Sequence, residues 1–113
     1  MKYVMLIHCE AGYTDGLSED EQKAVFAEYR ALAEDPRARG GAQLQPVDTA
    51  TTVRVQDGQT LTTDGPYADA KEVFGAYFVF EVDNLDEAIE LASRIPAARL
   101  GGAIEVRPLV ERE

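Results

Sequence analysis

The chain has 113 residues, enough for one domain (1–113), and 45% of them are hydrophobic, a globular composition and not a disordered one. Its 11 Lys and Arg against 21 Asp and Glu leave a net charge of −10, which argues against nucleic acid and anionic membrane as partners because both demand a basic face. One Cys makes neither an internal disulfide nor a multi-thiolate zinc site, and no apolar run approaches the ~20 residues of a membrane span.

Residues 2–8 read as a strand, with Tyr3, Met5 and Ile7 on one face and Val4, Leu6 and His8 on the other. Both faces are mostly apolar, which marks a central strand. Glu10 ends this apolar start and no small-residue cleavage site follows, so a cytoplasmic protein is expected. Ser18 opens a helix over 18–35, Glu21 completes a capping box, and Glu19 and Asp20 suit the positive helix start. Val25, Phe26, Tyr29, Leu32 and Ala33 form its apolar face; Pro36 stops or kinks it, and Gly40-Gly41 ends it.

Residues 42–47 form a weak short strand and 51–56 a stronger, β-branched one. Asp57-Gly58 is a type I′ hairpin signal that returns 59–62 antiparallel, with Arg54 opposite Leu61 and Val55 opposite Thr60. Residues 63–73 read as loop or short helix around an Asp64-Gly65-Pro66 turn. Residues 75–82 are a strand with Ala76, Phe78, Phe80 and Val82 on one face and Tyr77, Val79 and Glu81 on the other. Asn84 and Glu87 form a second capping box, before a stripe of Leu85, Ala88, Ile89, Ala92 and Ile95 that Pro96 stops. Residues 103–110 close the chain as a strand.

This order fits an α+β, ferredoxin-like βαββαβ sheet with an extra hairpin strand. Two helices cover only one face of such a sheet, yet the strands at 2–8 and 75–82 are apolar on both. A second copy of the chain, related by a two-fold axis, is the economical cover.

The runs at 1–7, Thr49-Ala50-Thr51-Thr52-Val53-Arg54 and Thr63-Asp64-Gly65-Pro66-Tyr67-Ala68-Asp69-Ala70-Lys71-Glu72, with Asp83-Asn84-Leu85-Asp86-Glu87-Ala88 and Ile95-Pro96-Ala97-Ala98-Arg99, resemble YCII-related proteins of the DGPF subgroup. Tyr67 stands where that family usually has Phe, Asp69-Ala70 stands for Glu-Thr, and Pro36 falls where its first helix continues. The resemblance implies a dimeric α+β barrel. Some relatives are small-molecule lyases or dehydrochlorinases, and some are proposed to use a His–Asp pair with the histidine on the first helix. Residues 18–35 contain no histidine, so that pair has no counterpart here. Members of the subgroup are often encoded beside extracytoplasmic-function sigma factors, which offers an accessory or regulatory role as the alternative.

Asp64 is the candidate base if it lies at a cavity rim, where burial would raise its pKa; the plainer reading is a turn carboxylate accepting backbone N–H bonds. His8 is a candidate catalytic partner, or a hydrogen-bonded packing residue at a strand end. With Glu10 it offers two ligands on one strand face, short of a metal site, so no metal and no cofactor are expected. Tyr67, Tyr77, Lys71 and Arg54 are the candidate ligand-binding groups, against core packing for the phenols and exposed surface for the cations. Cys9, with no fixed cation nearby and Glu10 beside it, reads as a structural thiol. No phosphate-binding glycine loop or serine elbow is present. Three roles are carried forward: a homodimeric small-molecule binder with lyase- or isomerase-type chemistry, a non-catalytic sigma-factor accessory, or a domain whose task is dimerisation alone.

Overall fold

The computed structural model describes residues 1–68 and 72–112. In chain order the elements are β1 (Lys2–Cys9), α1 (Glu19–Ala33), β2 (Ala38–Gln43), a 3-10 turn (Val47–Thr49), β3 (Thr51–Gln56), β4 (Gln59–Asp64), β5 (Val73–Glu81), α2 (Leu85–Ser93), α3 (Pro96–Arg99) and β6 (Ala103–Pro108). An antiparallel sheet in the order β2-β5-β1-β6 carries the ferredoxin-like topology, and β3-β4 forms a separate two-stranded sheet. The insertion is thus a whole hairpin and not one extra strand. Among the described residues, no helix is long and apolar enough to cross a membrane.

Local chemistry sets the boundaries of α1. The Ser18 hydroxyl accepts from the Glu21 N–H at 3.1 Å, and the Ser18 N–H donates back to the Glu21 carboxylate at 3.2 Å. The Ser18 side chain first, and then the Ser18 backbone N–H, hold the Glu21 carboxyl below its ordinary value. The helix closes at Ala33, before Pro36. Gly40-Gly41 does not end it; both glycines lie inside β2, four residues ahead of the expected strand. The reason is non-local: a Cβ at Gly41 would sit 2.6 Å from the Tyr77 carbonyl oxygen, so close approach to β5 demands glycine. At α2, Asn84 caps the Glu87 N–H as expected. The Glu87 carboxylate, however, accepts from the Asp83 N–H and from Arg37 instead of completing a capping box.

The core lies between the helices and one sheet face. Tyr3, Met5, Ile7 and Phe80 from the sheet, with Val82 just after β5, meet Leu32, Ala88, Leu91, Ala92 and Ile95. Both helical stripes are rotated from their expected faces. Phe26 is 68% exposed, Ala33 is exposed, and the half-buried Gln22 turns inward to donate to the Thr14 and Leu17 carbonyls. On α2, Leu91 is fully buried while Leu85 and Ile89 stay about half exposed. The opposite sheet face, with Val4, Leu6, Tyr77 and Val79, is half-buried and carries no helix among the described residues. The molecule is accordingly flat, 46 × 45 × 19 Å.

The β3-β4 turn is as the sequence predicts. Asp57 and Gly58 both have positive φ, 51° and 76°, and Arg54 pairs with Leu61 and Val55 with Thr60. Gly58→Val forces a β-branched residue into the left-handed region and should weaken the hairpin by about 1–2 kcal/mol. Faster amide exchange confined to 55–60 is the expected readout; unchanged exchange there would contradict the turn geometry.

Candidate functional site

The site begins with an irregularity in β5. Ile7 pairs with Ala76 but His8 pairs with Phe74, so Gly75 is an extra residue, a β-bulge. The bulge reverses the alternation beyond it and brings Phe74 onto the open face beside His8, with the rings 6.0 Å apart. The strand therefore starts at Val73, two residues earlier than its periodicity suggests, because alternation cannot be followed through a bulge.

His8 and Phe74 form one wall of a cleft of about 670 Å³, a size that suits a small organic ligand. Leu44, Pro46, Val47 and Thr49 make a second wall, and Pro66, Tyr67, Glu72 and Val73 close the rest. The lining is mainly apolar. The open sheet face runs straight into it, since His8 belongs to both.

The His8 Nε2 lies 3.3 Å from a Glu105 carboxylate oxygen. Glu105 stands on β6 opposite Leu6, on the same open face. The two residues are 97 positions apart, and no spacing rule in the sequence links them. The only available sign was strand alternation in 103–110, which sets Glu105 on the face opposite Ile104 and Val106.

The other sequence-derived candidates separate. Tyr67 lines the cleft and carries the Arg54 guanidinium over its ring, 4.9 Å from the centroid. Tyr77 lies on the open face between Ala42 and Leu6, outside the cleft lining. Lys71 lies outside the described residues. Asp64 ends β4 opposite Thr51, is exposed, and has no side-chain hydrogen bond among the described residues. The expectation that its carboxylate shapes the turn is therefore corrected. Backbone and hydroxyl do that work: the Gly65 N–H donates to the Ala50 carbonyl and the Thr52 hydroxyl donates to the Gly65 carbonyl, both at 2.8 Å.

Cys9 packs toward the core, where burial and then the Glu72 carboxylate push its thiol pKa up. A thiol held protonated is a poor nucleophile. On the helix side, the Tyr13 and Tyr29 hydroxyls share a 2.6 Å hydrogen bond, and burial raises the pKa of each. No group of three or more His, Cys, Asp or Glu side chains among the described residues is placed to hold a metal ion.

Comparison with known proteins places this geometry. The model of the YCII-related domain matches residues 1–113. An uncharacterized protein of Rhizobium meliloti (strain 1021) is 31% identical over 114 residues, which cover 96% of this chain and 92% of that protein. Among solved structures, the 5-chloro-2-hydroxyhydroquinone dehydrochlorinase TftG of Burkholderia phenoliruptrix AC1100, in complex with 2,5-dihydroxybenzoquinone, aligns with a TM-score of 0.54 at 17% identity. That alignment covers 99% of this chain and 96% of the dehydrochlorinase, and at such identity the likeness is one of fold.

Proposed function

The chain belongs to the YCII-related domain family, and from that premise we propose that it is a homodimeric small-molecule-binding protein whose cleft beside His8 carries lyase- or isomerase-type chemistry. The observation that carries this reading is the His8–Glu105 pair at the mouth of an apolar cleft. A carboxylate accepting from Nε2–H fixes the imidazole tautomer and leaves Nδ1 as the basic nitrogen. Such a base takes a proton from a carbon acidified by a neighbouring carbonyl. In an elimination the C–H electron pair forms a double bond and a leaving group departs with its own pair. In an isomerisation the proton returns at another carbon. In this reading His8 is the base, the role first considered for Asp64, and Glu105 is its orienting partner. Tyr67 and Phe74 would hold a flat ligand between them.

The open sheet face supports the dimer reading. Each Å² of apolar surface left wet forfeits roughly 25 cal/mol, and the charge of −10 is screened beyond ~8 Å in physiological salt. Two open faces packed together would also roof the cleft, because His8 belongs to both surfaces. A dehydrochlorinase shares the fold, which makes 2,5-dihydroxybenzoquinone and related enolisable ketones the first probes to try.

The test pairs binding with chemistry. A thermal-shift titration with these probes should raise the melting temperature of the wild type, and a cleft-filling Val47→Trp variant should lose the shift. Proton–deuterium exchange at the acidic carbon of a bound probe, followed by NMR, should slow about 10²–10⁴-fold in His8→Gln. Glu105→Gln should slow it less while keeping the thermal shift. Binding with no catalysed exchange would remove the enzymatic half. Absence of any shift, with Val47→Trp indistinguishable from wild type, would overturn the cleft as a ligand site and leave the sigma-factor accessory reading.

A further inference from the structure

The loop that follows β4 folds back along one face of β3. Thr52 and Arg54, two residues apart on that strand, share the face. The Thr52 hydroxyl donates to the Gly65 carbonyl and the Gly65 N–H donates to the Ala50 carbonyl, both at 2.8 Å, while the Arg54 guanidinium lies 4.9 Å from the centroid of the Tyr67 ring. Ala50, Pro66 and Tyr67 line the cleft, and Arg54 does not. The cation thus adjoins the cleft through the ring of Tyr67. That ring is otherwise loosely held: Tyr67 is 75% exposed, and its hydroxyl has no hydrogen bond among the described residues. Around the cleft the described carboxylates are Glu72 in its lining, Glu105 beside His8, and Asp48 and Asp64 in the flanking segments. Arg54 has no carboxylate partner among the described residues, and it is the one described cation stacked on a lining side chain.

We propose that Arg54 makes this cleft favour a conjugated anion, acting through the Tyr67 ring on which that anion stacks. The proposal rests on the cleft reading above and names the chemical class of its ligand. When the His8 imidazole takes a proton from a carbon beside a carbonyl, the C–H electron pair stays behind in an enolate, a flat anion with its charge spread over carbon and oxygen. The carboxylates around the cleft oppose that charge, so a cation must offset it. Arg54 does so in two ways. Its charge draws π density to its own side of the ring, and the opposite face then repels an electron-rich ligand less. It also attracts the anion across the ring. A ligand stacked on the opposite face would lie about 8 Å from the guanidinium, where a charge pair gains roughly two- to thirtyfold in affinity between a watery and a protein-like dielectric. A neutral ketone of the same outline gains little, so Arg54 separates the enolate from the ketone it came from. Arg54 touches no ligand atom in this arrangement and is a positioning residue. Because it is exposed, added salt should weaken its effect.

Calorimetric titration at low ionic strength tests this with two quinones of similar outline. 2,5-Dihydroxybenzoquinone is a vinylogous acid, ionised at neutral pH, and 2,5-dimethoxybenzoquinone is its neutral ether. Arg54→Met should weaken binding of the dihydroxyquinone about three- to tenfold and that of the ether by less than about twofold. Arg54→Lys, which keeps the charge, should restore most of the loss. In a Tyr67→Leu background, Arg54→Met should cost the dihydroxyquinone less than about twofold. An equal loss for the two quinones would make Arg54 a structural residue, and an undiminished loss in the Tyr67→Leu background would mean direct pairing with the ligand; either result overturns the proposal. Proton NMR of the unliganded protein separates the stack from the cleft. The Arg54 Cδ protons should be shifted upfield by the Tyr67 ring current and should return to ordinary values in Tyr67→Leu. Unshifted protons in the wild type would overturn the role of Arg54 and leave the cleft reading standing. A wild type that binds neither quinone would overturn both.

Discussion

Phe80→Ala should destabilise the protein by about 3–5 kcal/mol, a large share of the ~5–15 kcal/mol a domain possesses. Phe80 is fully buried near the C-terminal end of β5, between Tyr3 on β1 and Ala38 on β2, and its ring lies 5.6 Å from that of Phe78. Truncation loses the transfer energy of the ring and leaves a cavity that neighbours on three strands and two helices cannot fill by small shifts. Urea unfolding should show the midpoint falling with an unchanged slope. Phe80→Leu, which retains most of the volume, should cost clearly less. Equal costs for the two would mean that the site collapses freely and that the sheet-helix core is looser than its burial indicates.

Arg37→Met should remove a clamp that joins three elements, and the loss should depend on pH. The Arg37 guanidinium donates from Nε and Nη2 to the two oxygens of Asp35 and from Nη1 to Glu87, each at 2.9 Å. Asp35 follows α1, Arg37 precedes β2, and Glu87 lies in the first turn of α2. Arg37 holds the Asp35 carboxyl down at about 2, first through its side chain and then through its backbone N–H. It also holds the Glu87 carboxyl below its ordinary value. Folded-state pKa values below the unfolded ones mean that the unfolded chain binds protons first as pH falls. The stabilisation is therefore complete above the unfolded carboxyl values, ~4 for each, and disappears as pH drops toward about 2. Wild type and Arg37→Met should differ most at neutral pH and converge between about pH 4.5 and 2. Chemical denaturation at a series of pH values would show it. A constant gap down to pH 2 would mean that the Met variant loses packing and not charge pairing.

What could be read from the sequence alone was local. Ser18 with Glu21, Asn84 before Glu87, Pro36 and Pro96, and Asp57-Gly58 act within four residues of themselves. Their hydrogen bonds, missing N–H groups and positive φ angles impose the same structure whatever surrounds them. Strand alternation in 2–8 and 75–82 identified the two central strands and the uncovered second face, because a face apolar on both sides has one physical meaning. The ferredoxin-like order followed from these, and the family resemblance agreed with it.

The tertiary structure decided whatever depends on a partner distant in sequence. Gly40-Gly41 looks like a helix terminator until β5 lies within 2.6 Å of where a Cβ would be. Phe26 and Ile89 have the period of a buried stripe, but a period specifies a stripe's width and leaves its rotation to the neighbour it meets; packing chose Gln22 and Leu91. The candidate site lies at the far end of this dependence. A single extra residue, Gly75, turns Phe74 to the side of His8, and pairing of β6 with β1 carries Glu105 to the imidazole. Neither event has a signature within a few residues of His8. A bulge is a mismatch between two strands, and a pairing across 97 residues exists only once the sheet has closed.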